Sequence, residues 1–278
     1  MQFPNRGRKM DYVSYNGEIS KKPQMPLDQG FLYGYGVFET INVAQGRLVF
    51  FEDHMERFKQ SALVLGLKLT IHPDQIRSEC QQIIDKNAMI RGGLRVTLSK
   101  GVKADNLLIT ARENHYDRRM FEQGVKICTA DTIRNEKSRL VSIKSNNYLE
   151  NLLILNEAKA LGFSEAVFYN TQGHLAEGCM TNIFLIKNGQ VGTPARDCGL
   201  LAGIVRNRVI DLLKTNQIPI AEGYYSSDCL LTADEVFITN SLMEIMPVKQ
   251  LDKRCYGVGP ETLTARIDGL FQQAWGQR

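Results

Sequence analysis

Asn16-Gly17, Gln45-Gly46 and Asn188-Gly189 constrain this chain more than any other feature. Each pair stands between two short runs of aliphatic, β-branched or aromatic residues, the pattern of a tight turn joining neighbouring antiparallel strands. A chain that doubles back at such points is built on sheets, and its helices must cover those sheets.

The first part of the chain reads as an α+β unit on an antiparallel sheet. Strand pairs are expected at Tyr12–Tyr15 with Glu18–Ser20, at Val37–Val43 with Arg47–Phe51, and at Gly93–Leu98 with Asn106–Arg112, with Gly101 in the last connection. Gly30, Gly34 and Gly36 punctuate an aromatic run just before the second pair, permitting close backbone approach. A helix from about Glu52 sets Met55, Phe58, Ala62 and Leu65 on one face, leaving Arg57 on the other side. His72-Pro73 opens a second helix with Ile76, Cys80 and Ile83 inward. The polar stretch Asn114–Gly124 marks the boundary region. We expect a small N-terminal domain over 1–120 and a larger one over 121–278.

The larger part begins with a strand at Val125–Asp131. In Arg139–Asn182, an extended apolar segment ends at Lys144 and an amphipathic helix follows. A strand, a turn at Gly173 and a second strand then deliver Glu177. Further strands are expected at Ile183–Lys187, Gln190–Thr193, Ile218–Glu222, Glu235–Thr239 and Ile245–Lys249, with helices at Ile204–Lys214 and Pro260–Trp275. The fold class is α/β (α+β), in two domains.

Composition removes several classes of function. The 278 residues carry a net charge of +4, and no run of Lys and Arg is interleaved with aromatics, so nucleic acid is not an expected partner. A small anionic ligand suits that balance equally well. No apolar run approaches the ~20 residues of a membrane span. The opening MQFPNRGRKM is basic without an apolar core, which is not a signal peptide; its first nine residues read as an extension. Six cysteines are scattered without a Cys-x-x-Cys pair, as expected of reduced thiols in a cytoplasmic protein. The four histidines are dispersed, with no metal-ligand spacing.

Lys144 and Glu177, each placed where a strand is expected to stop, suit a pyridoxal phosphate site. There the lysine amine forms a Schiff base, and an acid facing the pyridine nitrogen keeps it protonated, so that the ring accepts electrons. A helix starting at Gly203 offers unpaired N–H groups and a positive dipole end to a phosphate. Taken singly, these residues have plainer readings. A lysine at a strand end is ordinarily a solvated flank, Arg57 a solvent-facing helix arginine, and Gly203 a simple helix start.

Several stretches taken together resemble a known family. DQGFLYGYGVFET, EDHMERFKQSA, IKSNNYL, EAVFYNTQGHLAEGCMTNIFLIKNG, LAGIVR and LLTADEVFITNSLMEIMPV are similar, in that order, to class IV (fold-type IV) pyridoxal phosphate enzymes of the branched-chain aminotransferase type. That family includes branched-chain and D-amino acid aminotransferases and aminodeoxychorismate lyases. The resemblance implies a two-domain enzyme with pyridoxal 5'-phosphate in the cleft between the domains, a small-molecule substrate and a homodimer. Lys144 matches the Schiff-base lysine and Glu177 the acid at the pyridine nitrogen. Arg57, in His-x-x-Arg, matches the arginine that grips the phosphate. Gly203, Ile204 and Val205 match the helix start whose amides bind the same phosphate, Ser241 a hydroxyl residue that adds to it, and Tyr148 a tyrosine bonding the phenolic oxygen. Val205 departs from the threonine usual there, which removes one hydroxyl and leaves the backbone donors.

Within the family, FET at 38–40 and the bulky Leu242 and Met243 resemble aminodeoxychorismate lyases, so the leading expectation is release of 4-aminobenzoate and pyruvate. Thr40 then places a hydroxyl near the leaving group, or is an ordinary strand threonine. Arg95 meets a substrate carboxylate, or has an unrelated surface or structural role. The alternative activity is an aminotransferase acting on branched-chain or D-amino acids with a 2-oxo acid acceptor.

Overall fold

A computed structural model describes residues 11–23 and 27–275. The first nine residues, expected as an extension, lie outside the described residues. The chain forms two compact units. The first runs up to His115 and also takes in Lys144–Asn146; the second holds Tyr116–Ile143 and the chain from Asn147 on.

In the first unit the elements are β1 (Val13–Tyr15), β2 (Glu18–Ser20), α1 (Gln29–Tyr33), β3 (Gly36–Ala44), β4 (Arg47–Leu48), α2 (Phe51–Val64), α3 (Pro73–Lys86), β5 (Arg91–Ser99) and β6 (Asn106–Arg112). They build a six-stranded sheet in the order β2-β1-β6-β5-β3-β4, antiparallel at every pairing. Alternation sends Val37, Ile41 and Val43 of β3, with Leu94 and Val96 of β5, to one face, where all are fully buried. Phe58 of α2 and Ile76, Cys80 and Ile83 of α3 complete that core. The return strand after Gln45-Gly46 is shorter than the expected Arg47–Phe51. Phe50 takes a left-handed conformation at φ 51° and Phe51 already begins α2.

Lys144 does not end an extended strand. Residues 139–143 are turns, and only the next three residues join the sheet. The Phe38 amide donates to the Lys144 carbonyl at 2.8 Å, Ser145 bridges to Val37, and the Asn146 amide donates to the Gly36 carbonyl at 2.9 Å. Gly36 makes this possible, since a Cβ there would lie 2.4 Å from Asn146 Nδ2 and 2.7 Å from the Leu98 carbonyl oxygen.

The second unit comprises α4 (Arg118–Gln123), β7 (Val125–Thr129), α5 (Leu149–Ala160), β8 (Glu165–Tyr169), β9 (Leu175–Gly178), β10 (Asn182–Lys187), β11 (Gln190–Pro194), α6 (Ile204–Thr215), β12 (Ile220–Gly223), α7 (Ser227–Leu231), β13 (Glu235–Asn240), β14 (Glu244–Leu251), β15 (Arg254–Cys255) and α8 (Leu263–Trp275). Its nine-stranded sheet runs β12-β11-β10-β13-β14-β7-β8-β9, with β15 on β14. The pairings β11–β12, β14–β7 and β7–β8 are parallel, so this sheet is mixed. The last helix starts at Leu263 rather than Pro260 because Glu235 accepts the Leu263 and Thr264 amides, both at 2.8 Å, and so fixes its first turn. Among the described residues, no helix is long and apolar enough to cross a membrane.

Candidate functional site

In the first unit, Lys144 and Arg95 meet over one side chain, and Thr40 stands beside Arg95. Phe38 sits under the Lys144 ammonium, 4.4 Å from its ring centroid, and under the Arg95 guanidinium at 3.5 Å. Arg95 is the direct cross-strand partner of Thr40, and such neighbours stand side by side on one face with Cβ atoms about 5 Å apart. Arg95 Nε donates to Thr97 Oγ1 at 3.2 Å and Nη2 to Asn146 Oδ1 at 3.1 Å. Arg95 is therefore tied to the segment that carries Lys144, which is more than a surface role.

The opposite face of β3 carries a charge where its neighbours are apolar. Glu39 has the same alternation as Val37 and Ile41 and is 0 % exposed. Its carboxylate accepts Arg57 Nε at 2.7 Å and Nη2 at 2.6 Å, a bidentate fork, and it contacts His54 Nδ1 at 2.7 Å. Arg57 is thus not the solvent-facing arginine of the plain reading, and its side chain is only 14 % exposed. Burial alone would push the Glu39 carboxyl up, but Arg57, with His54, brings it down to about 2. For His54, burial lowers its basicity against the pull of Glu39, and the charges of Arg57 and Lys144 add to that lowering. The ionised Glu39 carboxylate can only accept, so the Nδ1 proton of His54 is given to it.

In the second unit, Glu177 of β9 is buried among donors. Its Oε2 accepts the Leu201 amide at 3.0 Å and faces Asn182 Nδ2 at 3.5 Å, while Oε1 lies 3.8 Å from Arg134 Nη2. Arg134 is itself buried, stacked on Phe168 at 3.9 Å and bonded to Asn151 Oδ1 at 3.2 Å. Among the described residues, its Nε and Nη2 make no hydrogen bond. Asn182 also donates to the Leu201 carbonyl at 2.9 Å, so it links the acid to the chain leading into α6.

That chain reaches α6 through Gly203, the N-cap, with Ile204 and Val205 buried in the first turn and no side chain capping it. A Cβ on Gly203 would stand 2.0 Å from Asn182 Oδ1, so a larger residue there would displace the Asn182 amide. Ser241 and Leu242 lie in the turn between β13 and β14. There Asn240 Oδ1 accepts the Leu242 amide at 2.9 Å and the Met243 amide at 2.8 Å. Tyr148 is the half-buried residue just before α5.

A separate cavity of about 280 Å³ in this unit is lined by Phe121, Ile245, Pro247 and Thr264, and none of these candidate residues borders it. Among the described residues, no three His, Cys, Asp or Glu side chains cluster as metal ligands would.

A family model for the class IV amino-transferases matches residues 36–251. The chain belongs to that family. It is 27% identical over 265 residues to the aminodeoxychorismate lyase of Bacillus subtilis, covering 89% of this chain and 88% of that one. It is 29% identical over 277 residues to the D-alanine aminotransferase of Bacillus licheniformis, covering 94% and 96%. The structure of the Escherichia coli branched-chain amino acid aminotransferase superposes with a TM-score of 0.88 at 26% identity, covering 96% of this chain and 95% of that one. The mixed α/β fold expected from the sequence is thus the fold of this family, and the chain is an enzyme of the aminotransferase and lyase group.

The structure brings three further side chains to these sites that the sequence did not single out. Glu39 was unread: its partners His54 and Arg57 stand on α2, 15 and 18 residues further along. Arg134 and Asn182 were also unread, because Arg134 meets Glu177 from 43 residues away and Asn182 bonds the Leu201 carbonyl from 19 residues away, both brought together only by the fold.

Proposed function

We propose that this chain is a pyridoxal 5'-phosphate-dependent lyase that converts 4-amino-4-deoxychorismate to 4-aminobenzoate and pyruvate. The observation that carries the reading is Thr40 standing beside Arg95, on the face of β3 where Phe38 underlies both Arg95 and Lys144. An aminotransferase needs no hydroxyl there, whereas expulsion of an enolpyruvyl group benefits from a donor at the departing oxygen.

Within each unit taken by itself, the residues suit the cofactor. The start of α6 has no side-chain cap, and a side chain at Gly203 would displace Asn182, which suits a phosphate against the Ile204 and Val205 amides. Ser241 adds a hydroxyl, and Arg57 a guanidinium. Glu177, beside Arg134, supplies the carboxylate for the pyridine nitrogen, and Tyr148 a donor for the phenolic oxygen. When bound, pyridoxal phosphate supplies an electron sink for the carbanion formed beside the substrate nitrogen. Lys144 holds the cofactor through its amine and moves the proton off the ring carbon that bears the substrate amino group. Arg95 orients a substrate carboxylate, Leu242 packs against the ring, and Thr40 meets the leaving oxygen. The reading extends to a cytoplasmic homodimer that supplies 4-aminobenzoate for folate synthesis.

Thr40→Val tests the hydroxyl. Turnover of aminodeoxychorismate should fall about 10²-fold, with the cofactor absorption band unchanged. An unaltered rate would remove Thr40 from the reaction. Borohydride reduction followed by peptide mapping should place the cofactor on Lys144, and Lys144→Ala should lose both band and label.

The alternative is an aminotransferase using the same lysine on branched-chain or D-amino acids. The likeness to a D-alanine aminotransferase, level with that to the lyase, supports it. It predicts product only when a 2-oxo acid is supplied.

A further inference from the structure

We propose that Glu39 is a positioning residue for phosphate recognition, acting through Arg57, with His54 as its second brace. The inference rests on the reading of Arg57 as a phosphate ligand. Its basis is a carboxylate in the wrong company. Glu39 lies between Val37 and Ile41 on the helix-covered face of β3, opposite Val96 of β5, and all three neighbours are fully buried. An ionised group in such a place is costly unless paired and hydrogen-bonded. A hydrophobic residue would serve the core better, so the carboxylate has another use.

Its bonds show what that use is. Both oxygens engage the Nε–Nη2 edge of Arg57, at 2.7 and 2.6 Å, and Oε2 also meets His54 at 2.7 Å. His54 and Arg57 stand three residues apart on α2, on one helical face. The guanidinium is planar, so fixing one edge fixes the direction of the whole fork. A long arginine side chain otherwise loses considerable rotamer entropy on gripping a ligand. Glu39 has absorbed that cost in the folded protein. It also neutralises Arg57, so the fork acts on a phosphate through aimed N–H groups more than through net charge.

The test compares pyridoxal 5'-phosphate with pyridoxal, which lacks the phosphate, binding to apoprotein of the wild type, Glu39→Gln and Glu39→Asp. Affinities are read from the cofactor absorption band. In Glu39→Gln the phosphate ester should bind about tenfold more weakly or worse, while pyridoxal stays within about twofold. Glu39→Asp, which keeps the charge and shortens its reach, should fall between. Equal weakening of both ligands, or of neither, overturns the proposal, because a merely structural glutamate would not distinguish them. Should Glu39→Gln fail to fold, Glu39→Asp carries the same comparison: loss confined to the phosphate ester supports the proposal, and equal loss overturns it. Wild-type protein that binds both ligands without preference would sink the reading of Arg57 itself, a result separable from a wild-type preference that Glu39 does not affect.

Discussion

Glu39 in the first unit and Glu165 in the second are both strand glutamates, 0 % and 3 % exposed, yet their acidities move in opposite directions. Glu39 faces a guanidinium and is held down to about 2 in spite of burial. Burial raises Glu165, and the donors around it oppose that only in part. Those donors are the amides of Ala166 at 3.0 Å, Cys179 at 3.1 Å and Met180 at 3.0 Å, with the Thr181 hydroxyl at 3.2 Å. By count of bonds Glu165 is the better served. The difference teaches that a counter-charge, rather than the number of hydrogen bonds, decides whether a buried acid is comfortable as an anion. It also separates two uses. Glu39 aims a cation, whereas Glu165 gathers the turn that follows Glu177.

The contrast can be broken by mutation. Glu39→Gln should cost the most, about 3–5 kcal/mol of stability in urea unfolding, because it leaves the Arg57 charge without its partner. A loss below that of Glu165→Gln would reverse the comparison. Glu165→Gln should cost about 1–3 kcal/mol, because the amide NH₂ cannot accept from the donors that one carboxylate oxygen now serves. Its loss should be accompanied by faster hydrogen exchange at Cys179 and Met180.

The pH dependence sharpens the same point. The folded value of Glu39 is below its unfolded value of 4.5, so its contribution is present above pH 4.5 and is lost as pH falls towards 2. The folded value of Glu165 is raised above 4.5, so the folded state takes up its proton first, and stability rises as pH falls towards 4.5. The gap between wild type and Glu39→Gln should therefore shrink on acidification from pH 4.5, and the gap to Glu165→Gln should widen as pH falls towards 4.5. Neither slope should exceed about 1.4 kcal/mol per pH unit. Parallel slopes would mean that both acids have the same kind of partner. The smallest effect is expected for His54→Phe, about 1 kcal/mol, since Arg57 still holds both oxygens of Glu39.

Much of this was legible in the chain. The turns at Asn16-Gly17, Gln45-Gly46 and Asn188-Gly189 all form, with Asn16, Gln45 and Asn188 in left-handed conformations that short polar or flexible residues and their glycines tolerate. The strand-turn-strand around Gly173 was readable from its strand-forming runs and the glycine between them, and the start of α6 from Gly203. Lys144 was placed on the wrong kind of segment. Its apolar neighbours look extended, but residues 139–143 turn, and the short pairing with β3 depends on Gly36, more than a hundred residues earlier. Helices α1 and α4 were missed because each is a single short run capped by an aspartate, Asp28 and Asp117, inside a stretch that reads as loop. The buried cages of Glu39 and Glu165 were invisible for a related reason. A polar residue in a strand reads as outward-facing until its partners, on other elements, are known.

The claim that joins these parts is the chemistry, and the most direct measurement is a single assay. Cofactor-loaded protein is mixed with 4-amino-4-deoxychorismate in the absence of any 2-oxo acid, and 4-aminobenzoate is followed by its fluorescence. The lyase reading predicts many turnovers per site, with pyruvate released in equal amount. No product, from protein whose cofactor band is intact, would contradict it.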